Sequence, residues 1–203
     1  MPKHAPITAL AAAAALALAG CSSDGSSHTD GHGSGTSSSS SSSAEDFNQA
    51  DVTYAQGMSM HHQQAVEMSD ILLEKDDVDA DVADLARQIK KAQGPEITKM
   101  QGWLEDWGHP MEHGGHGSDP SMDGDHMDGM VSSEDIAELQ KADGPQASRL
   151  FLDQMIEHHE GAVDMAEKHL KAGKNAEALA LSKTVVKDQK AEITTMEQMR
   201  KAL

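Results

Sequence analysis

The sequence predicts an all-α domain, a four-helix bundle built from two repeated helical hairpins with a short extra helix in the long central connection. Three observations predict it. A phrase dense in Met and His occurs twice, MSMHHQQAVEM at 58–68 and MIEHHEGAVDM at 155–165, matching Met58 to Met155, His61 to His158, His62 to His159 and Met68 to Met165. Apolar residues recur at helical spacing through four long stretches, while aromatic residues are scarce, with two Trp, one Tyr and two Phe, and β-branched runs are absent. The repeat also continues into the partner stretches, where Gln93, Glu96, Ile97 and Met100 align with Gln189, Glu192, Ile193 and Met196. Each half is therefore a hairpin, and one hairpin alone could hardly bury its apolar stripe, so the two halves pair.

Taken in order, the first helix is expected from Asp46 to about Lys75 on Val52, Ala55, Met58, Ala65, Met68, Ile71 and Leu72. An acidic turn at Asp76 and Asp77 leads to a second helix from Asp79 to Trp107, carried by Val82, Leu85, Ile89, Met100, Trp103 and Leu104. Gly94 and Pro95 fall inside it, and a proline there removes a hydrogen bond, so a kink is expected and a break into two helices stays open. Residues 109–131 hold Gly, Asp, His and Met with almost no aliphatic side chains and read as a loop. Ser132 or Ser133 can cap a short helix from Glu134 to Ala142. Gly144 and Pro145 start the third long helix, which ends at Gly173, and the fourth runs from Asn175 to Arg200. The bundle domain thus spans 44–203, with halves 46–108 and 132–203.

The first residues are of another kind. Lys3 precedes an apolar run from Ile7 to Ala19, too short for a mature membrane-spanning helix, and Leu18, Ala19, Gly20 and Cys21 close it. LAGC resembles the bacterial lipobox, which implies a signal peptide over 1–20 and a diacylglycerol on Cys21, the only cysteine of the chain. Residues 21–43 are Ser/Gly-rich and read as a flexible tether. The expectation is a lipid-anchored protein on the extracytoplasmic face of a bacterial cell membrane. A formal net charge of -18 excludes nucleic acid as a partner class and suits cations.

Positions spaced three, four and three apart share one helix face, which puts Met58, His61, Ala65, Met68 and Leu72 on one inward stripe and Met155, His158, Ala162, Met165 and His169 on the other. His62 and His159 lie one step around, and Glu67, Asp164, Glu157 and Glu160 are near enough along the helix to orient the rings. Small Ala65 and Ala162 leave room beside the imidazoles. Mid-helix positions on equivalent helices come to one level, so the four histidines can converge with core methionines. Imidazole and thioether together suit copper, as Cu(I) or Cu(II). The loop adds His109, His113, His116 and His126 with Met111, Met122, Met127 and Met130, and methionine has no packing reason to be in such a segment. The competing view has buried His pairs bonded to carboxylates and methionine as filler.

At these residues the sequence resembles the bacterial family catalogued as domain of unknown function 305. The resemblance rests on the two His-His motifs followed by Ala-Val and Met and on Trp103, Leu104, Trp107 and Gly108. It implies a ferritin-like fold over about 46–200 and, from members associated with copper binding or tolerance, metal ligation by His61, His62, His158, His159, Met58, Met68, Met155 and Met165. Di-iron chemistry wants two Glu-x-x-His motifs, which neither Glu96 nor Glu192 begins. Nucleophilic catalysis lacks a cysteine beyond Cys21, and nothing in the spacing positions a Ser-His-Asp set. Three readings stay open: a copper-binding lipoprotein for buffering, handover or resistance; a non-metal scaffold that meets an extracytoplasmic protein partner; and an oxidase of Cu(I).

Overall fold

The computed structural model describes residues 46–111 and 129–203. Among the described residues five helices form: α1 Gln49–Leu73, α2 Ala80–Asp106, α3 Ser133–Lys141, α4 Gly144–Ala172 and α5 Ala176–Ala202. No strand occurs among the described residues. Each helix starts where a short polar side chain can take the orphan amides of a first turn. Asn48 and Asp51 make a reciprocal capping box on α1, and Asp79 accepts from Asp81 and Val82 on α2. Ser132 accepts from Asp135 on α3, Asp143 from Gln146 on α4 with Pro145 in the first turn, and Asn175 from Glu177 and Ala178 on α5.

α2 runs unbroken through Gly94 and Pro95, so the alternative of a break into two helices does not occur. Pro95 and Lys91, whose carbonyl loses its intrahelical donor, both lie on the solvent side, where the freed carbonyl is open to water.

The chain direction is up, down, down, up. α1 and α2 form one antiparallel hairpin, tied by Lys90 to Asp70, and α4 and α5 form the other, tied by Lys190 to Glu167 at 2.7 Å and Arg200 to Asp153 at 2.9 Å. α1 and α4 pack antiparallel at the centre, since Asn48 at the start of α1 bonds the Ala172 carbonyl at the end of α4. α2 therefore ends and α4 begins at opposite ends of the bundle, so one long crossover connects them, and α3 lies at the end where α4 begins, where Lys75 donates to the carbonyls of Gln140 and Ala142. One long crossover is the connectivity of ferritin-like bundles.

The returning end of the crossing is fastened to the middle of the bundle. Gln64 holds the Val131 backbone with two hydrogen bonds of 2.8 Å. Gly129, at φ +80°, lies so close to α4 that a Cβ there would stand 2.6 Å from the Gly161 Cα.

The core is divided into two apolar clusters. One gathers Ala65, Met68, Leu72, Leu85, Ile89, Phe151, Leu152, Met155 and Met196; the other gathers Val52, Tyr54, Met58, Met100, Leu104, Ala162, Ala166 and Val185. The helices reverse roles between them, because the duplicated hairpins face each other across a pseudo-twofold axis. A buried polar layer lies between the clusters.

Candidate metal centre in the bundle core

The polar layer is made by the duplicated phrase. His61 and His62 on α1 and His158 and His159 on α4 are all buried, at 0 to 1 % exposure. The rings of His61 and His158 meet across the axis with centroids 3.7 Å apart and planes tilted by 38°. His158 and His159 centroids are 6.2 Å apart. Four imidazoles therefore occupy one level of the interior, as the helical spacing predicts.

The partners that orient them come from the flanking helices. His62 Nε2 is 2.9 Å from Glu96 Oε2 on α2, and His159 Nε2 is 2.7 Å from Glu192 Oε2 on α5. Glu67, Asp164, Glu157 and Glu160, the carboxylates expected to do this from their own helices, are exposed instead. A side chain four residues along shares a helix face only when that face is the same one; the histidines point inward and these carboxylates point out.

The geometry assigns a tautomer. An ionised carboxylate only accepts, so the Nε2 facing it carries the proton, and in the neutral ring Nδ1 keeps its lone pair. The Nδ1 atoms of His62 and His159 are buried and have no hydrogen-bond partner among the described residues. Gln93 and Gln189, one turn before the two glutamates, likewise bury an amide oxygen without a partner. Each such atom costs about 1–3 kcal/mol relative to a satisfied one, so the layer carries a penalty of several kcal/mol. Burial lowers the pKa of His158 well below the usual histidine value, and the neighbouring charges of His61, His159 and His62 push it the same way. That ring is neutral at neutral pH, the form a metal ion requires.

Methionines border the layer on both sides. Met58 stands one turn before His61, and Met155 one turn before His158; both are fully buried. Met100 and Met196, each one turn beyond its glutamate, are buried in the same two clusters. The pair Met100 and Met196 was visible in the repeat but had no histidine beside it to draw attention. Met68 and Met165 lie six residues past the histidines, roughly 9 Å along the helix, and pack away from the layer. Among the described residues no three His, Cys, Asp or Glu side chains form a ready cage. Thioether sulfur and the two bare Nδ1 atoms are the donors the layer offers, and this soft set fits copper better than iron, calcium or magnesium.

His169 is placed elsewhere. Its Nε2 is 2.9 Å from Asp51 Oδ1 and its Nδ1 is 2.7 Å from Ser182 Oγ, while its ring stacks on Tyr54 at 4.1 Å. Both nitrogens are engaged, which leaves none for a metal. A Ser-His-Asp line does form here, contrary to the sequence expectation that nothing positions one. Ser182 is fully buried, however, so no substrate can approach, and the set works as a clamp between α1 and the α4–α5 turn.

Of the loop residues, His109 is exposed and edge-on to Phe47 at 6.5 Å, Met111 packs partly buried against the apolar cluster that holds Met58 and Met100, as Phe47, Trp103 and Trp107 do, and Met130 borders a shallow depression with Gln64 and Glu67. His113, His116, His126, Met122 and Met127 lie outside the described residues, as do Cys21, the signal segment and the tether. No helix among the described residues is long and apolar enough to cross a membrane.

A four-helix bundle with one crossover and a duplicated histidine layer defines the class of this protein. The profile of domain of unknown function 305 matches residues 51–200, and the chain belongs to that family. It is similar to the Streptomyces coelicolor family protein described as secreted, with 37% identity, a TM-score of 0.66, and coverage of 74% of this chain and 91% of that one. A family fragment from Deinococcus radiodurans has 33% identity and a TM-score of 0.67, covering 77% and 98%. CopM in its Cu(I)-bound form has 28% identity and a TM-score of 0.61, covering 76% and 98%. CopM has also been solved with Cu(II), with silver and in the apo form. Among curated proteins none matches the chain significantly.

Proposed function

We propose that this protein is an extracytoplasmic, membrane-anchored copper-binding lipoprotein that buffers, hands over or withstands copper, with the histidine layer as its core site. The observation that carries the reading is the pair of carboxylate-held imidazoles, His62 with Glu96 and His159 with Glu192, whose remaining nitrogens are buried and bare. A fold has no packing reason to keep such atoms twice, at symmetric positions, between two apolar clusters. His61, His62, His158 and His159 would supply nitrogen, with Met58 and Met155 as thioether ligands and Met68 and Met165 at the margin. Copper is cargo here, so no catalytic residue is assigned. The likeness to CopM, solved with copper and with silver, supports the metal, and the secreted relative supports the location. Lipidation at Cys21 rests on the lipobox alone.

The test is anaerobic loading of the full chain with Cu(I), removal of free ion and elemental analysis. Retained copper is expected, and a chain that emerges empty contradicts the reading. Replacing Glu96 and Glu192 together by alanine releases both rings from their tautomer and orientation. Competition against a Cu(I) chelator is then expected to show affinity reduced about 10–100-fold. The scaffold reading expects no copper retention in either protein.

A further inference from the structure

The four histidine rings are buried, with the partly exposed Glu96 and Glu192 beside two of them, so an ion reaches the layer either past these carboxylates or through the core from one end of the bundle. The two ends of the bundle differ in what they offer for that journey. At the α1 start, Phe47 stacks on Trp107 at 4.8 Å and Trp103 on Trp107 at 5.9 Å, and these partly exposed rings roof the cluster holding Met58 and Met100. Beside them opens a groove of about 570 Å³ lined by Trp103 and Trp107 with Asp46, Asp106, Glu177 and Lys174, where Lys99 pairs with Glu177 at 3.7 Å. Lys99 already lies over the Trp103 ring at 5.0 Å, so the aromatic face accepts a cation. At the opposite end Met155 and Met196 lead outward to partly buried Met199, and Arg149, Arg200 and Lys201 stand there with Asp76, Asp77, Asp143 and Asp153; what that end lacks is a partly exposed aromatic ring, since its Phe151 is fully buried.

The thioethers at the aromatic end form a graded series. Met111, partly buried, packs on the same apolar cluster as Phe47, Trp103 and Trp107; Met100 and Met58 are fully buried within that cluster; and Met58 stands one turn from His61. Thioether sulfur holds monovalent soft ions and lets them pass between neutral sites, which a divalent, strongly hydrated ion does not do readily.

We propose that the aromatic end is the intake port for Cu(I), and that Met111, Met100 and Met58 form the thioether path from it to the histidine layer. The proposal rests on the copper reading above and adds the route and the oxidation state. Negative charge at the groove gathers the ion, Met111 takes it beside the indoles, and the buried sulfurs pass it inward. No electron transfer is involved.

Both tryptophans of the chain, Trp103 and Trp107, belong to this port, so indole fluorescence reports it alone. The experiment mixes full-length protein anaerobically with substoichiometric Cu(I), or with Ag(I) as a redox-inert probe. It follows tryptophan emission in stopped flow and final occupancy by elemental analysis. Leucine preserves the methionine volume, so Met111→Leu and Met100→Leu should leave the fold intact, checked by thermal melting. Early quenching is expected in the wild type, and filling of the core is expected to slow at least about tenfold in each variant, equivalent to roughly 1.4 kcal/mol on the barrier, with the final copper content of the core unchanged in Met111→Leu, whose sulfur lies outside the layer. Wild-type loading rates in both variants, or copper uptake without any change in indole emission, would overturn the port while leaving copper binding intact. A wild-type chain that retains no copper overturns both.

Discussion

Replacing His61 and His158 together by leucine is expected to remove the copper of the bundle core while leaving a folded bundle of equal or greater stability. The two rings meet at 3.7 Å in a fully buried layer, where each imidazole gives up its hydration. Exchanging buried polar groups for apolar ones of similar volume is commonly neutral or stabilising, because a desolvation penalty disappears and packing is retained. The melting temperature should therefore hold or rise, and the unfolding free energy should lie within about 1 kcal/mol of the wild-type value or above it. Elemental analysis should show the copper content falling by the ions held in the layer. A stability loss of several kcal/mol with unchanged copper content would mean that the rings are structural and that the ions bind elsewhere. The opposed signs make this variant informative, since function and stability compete at the same residues.

The second large effect is expected at the other end of α1. Asp51 is fully buried and accepts from His169, from the backbone amides of Lys174 and Asn175, and from the Asn48 amide in the capping box. It ties the start of α1 to the α4–α5 turn. Replacing Asp51 by alanine strands His169 and three amide donors, and a loss of about 3–5 kcal/mol is expected, which for a domain of this size lowers the melting temperature by roughly 10 °C. Burial pushes the Asp51 pKa up, but the hydrogen bonds from His169, Asn48, Asn175 and Lys174 outweigh it, and the net shift is downward from 3.8. The sign follows: this stabilisation is fully present above the unfolded value near 3.8 and fades as pH falls through the lower folded value. Acid titration of the melting temperature should show wild type converging on Asp51→Ala only in that strongly acid range. Convergence already near neutral pH would contradict the assignment to Asp51.

The repeat made much of this legible. Helical spacing placed His61, His158, Met58 and Met155 inward because their face is defined within one helix, and the shared phrase placed the two helices at one level. The Gly-Pro pair left open a break that does not form, because a proline on the solvent side of a helix costs less than one facing the core. The glutamates were harder to see. Glu96 and Glu192 reach the histidines across a helix interface, a contact that spacing along one helix cannot express, and the search for neighbours on the same helix led to exposed carboxylates. The signal was present all the same, since Glu96 and Glu192 recur at matching positions where surface residues had drifted. Side-chain exposures of 24% and 26% explain the ambiguity, for these residues belong half to the surface and half to the core. His169 was misread for the reverse reason. It extends the inward stripe, but the first repeat has Leu72 at that position, and a residue that departs from the repeat serves a local purpose, here the Asp51 clamp.

The most direct measurement is the anomalous signal of copper in crystals of the full chain loaded anaerobically with Cu(I). A peak within the layer, bordered by the Nδ1 atoms of His62 and His159 and by Met58 or Met155, is expected. Copper found only outside the layer, with His61 and His158 still in ring contact, would contradict the core site.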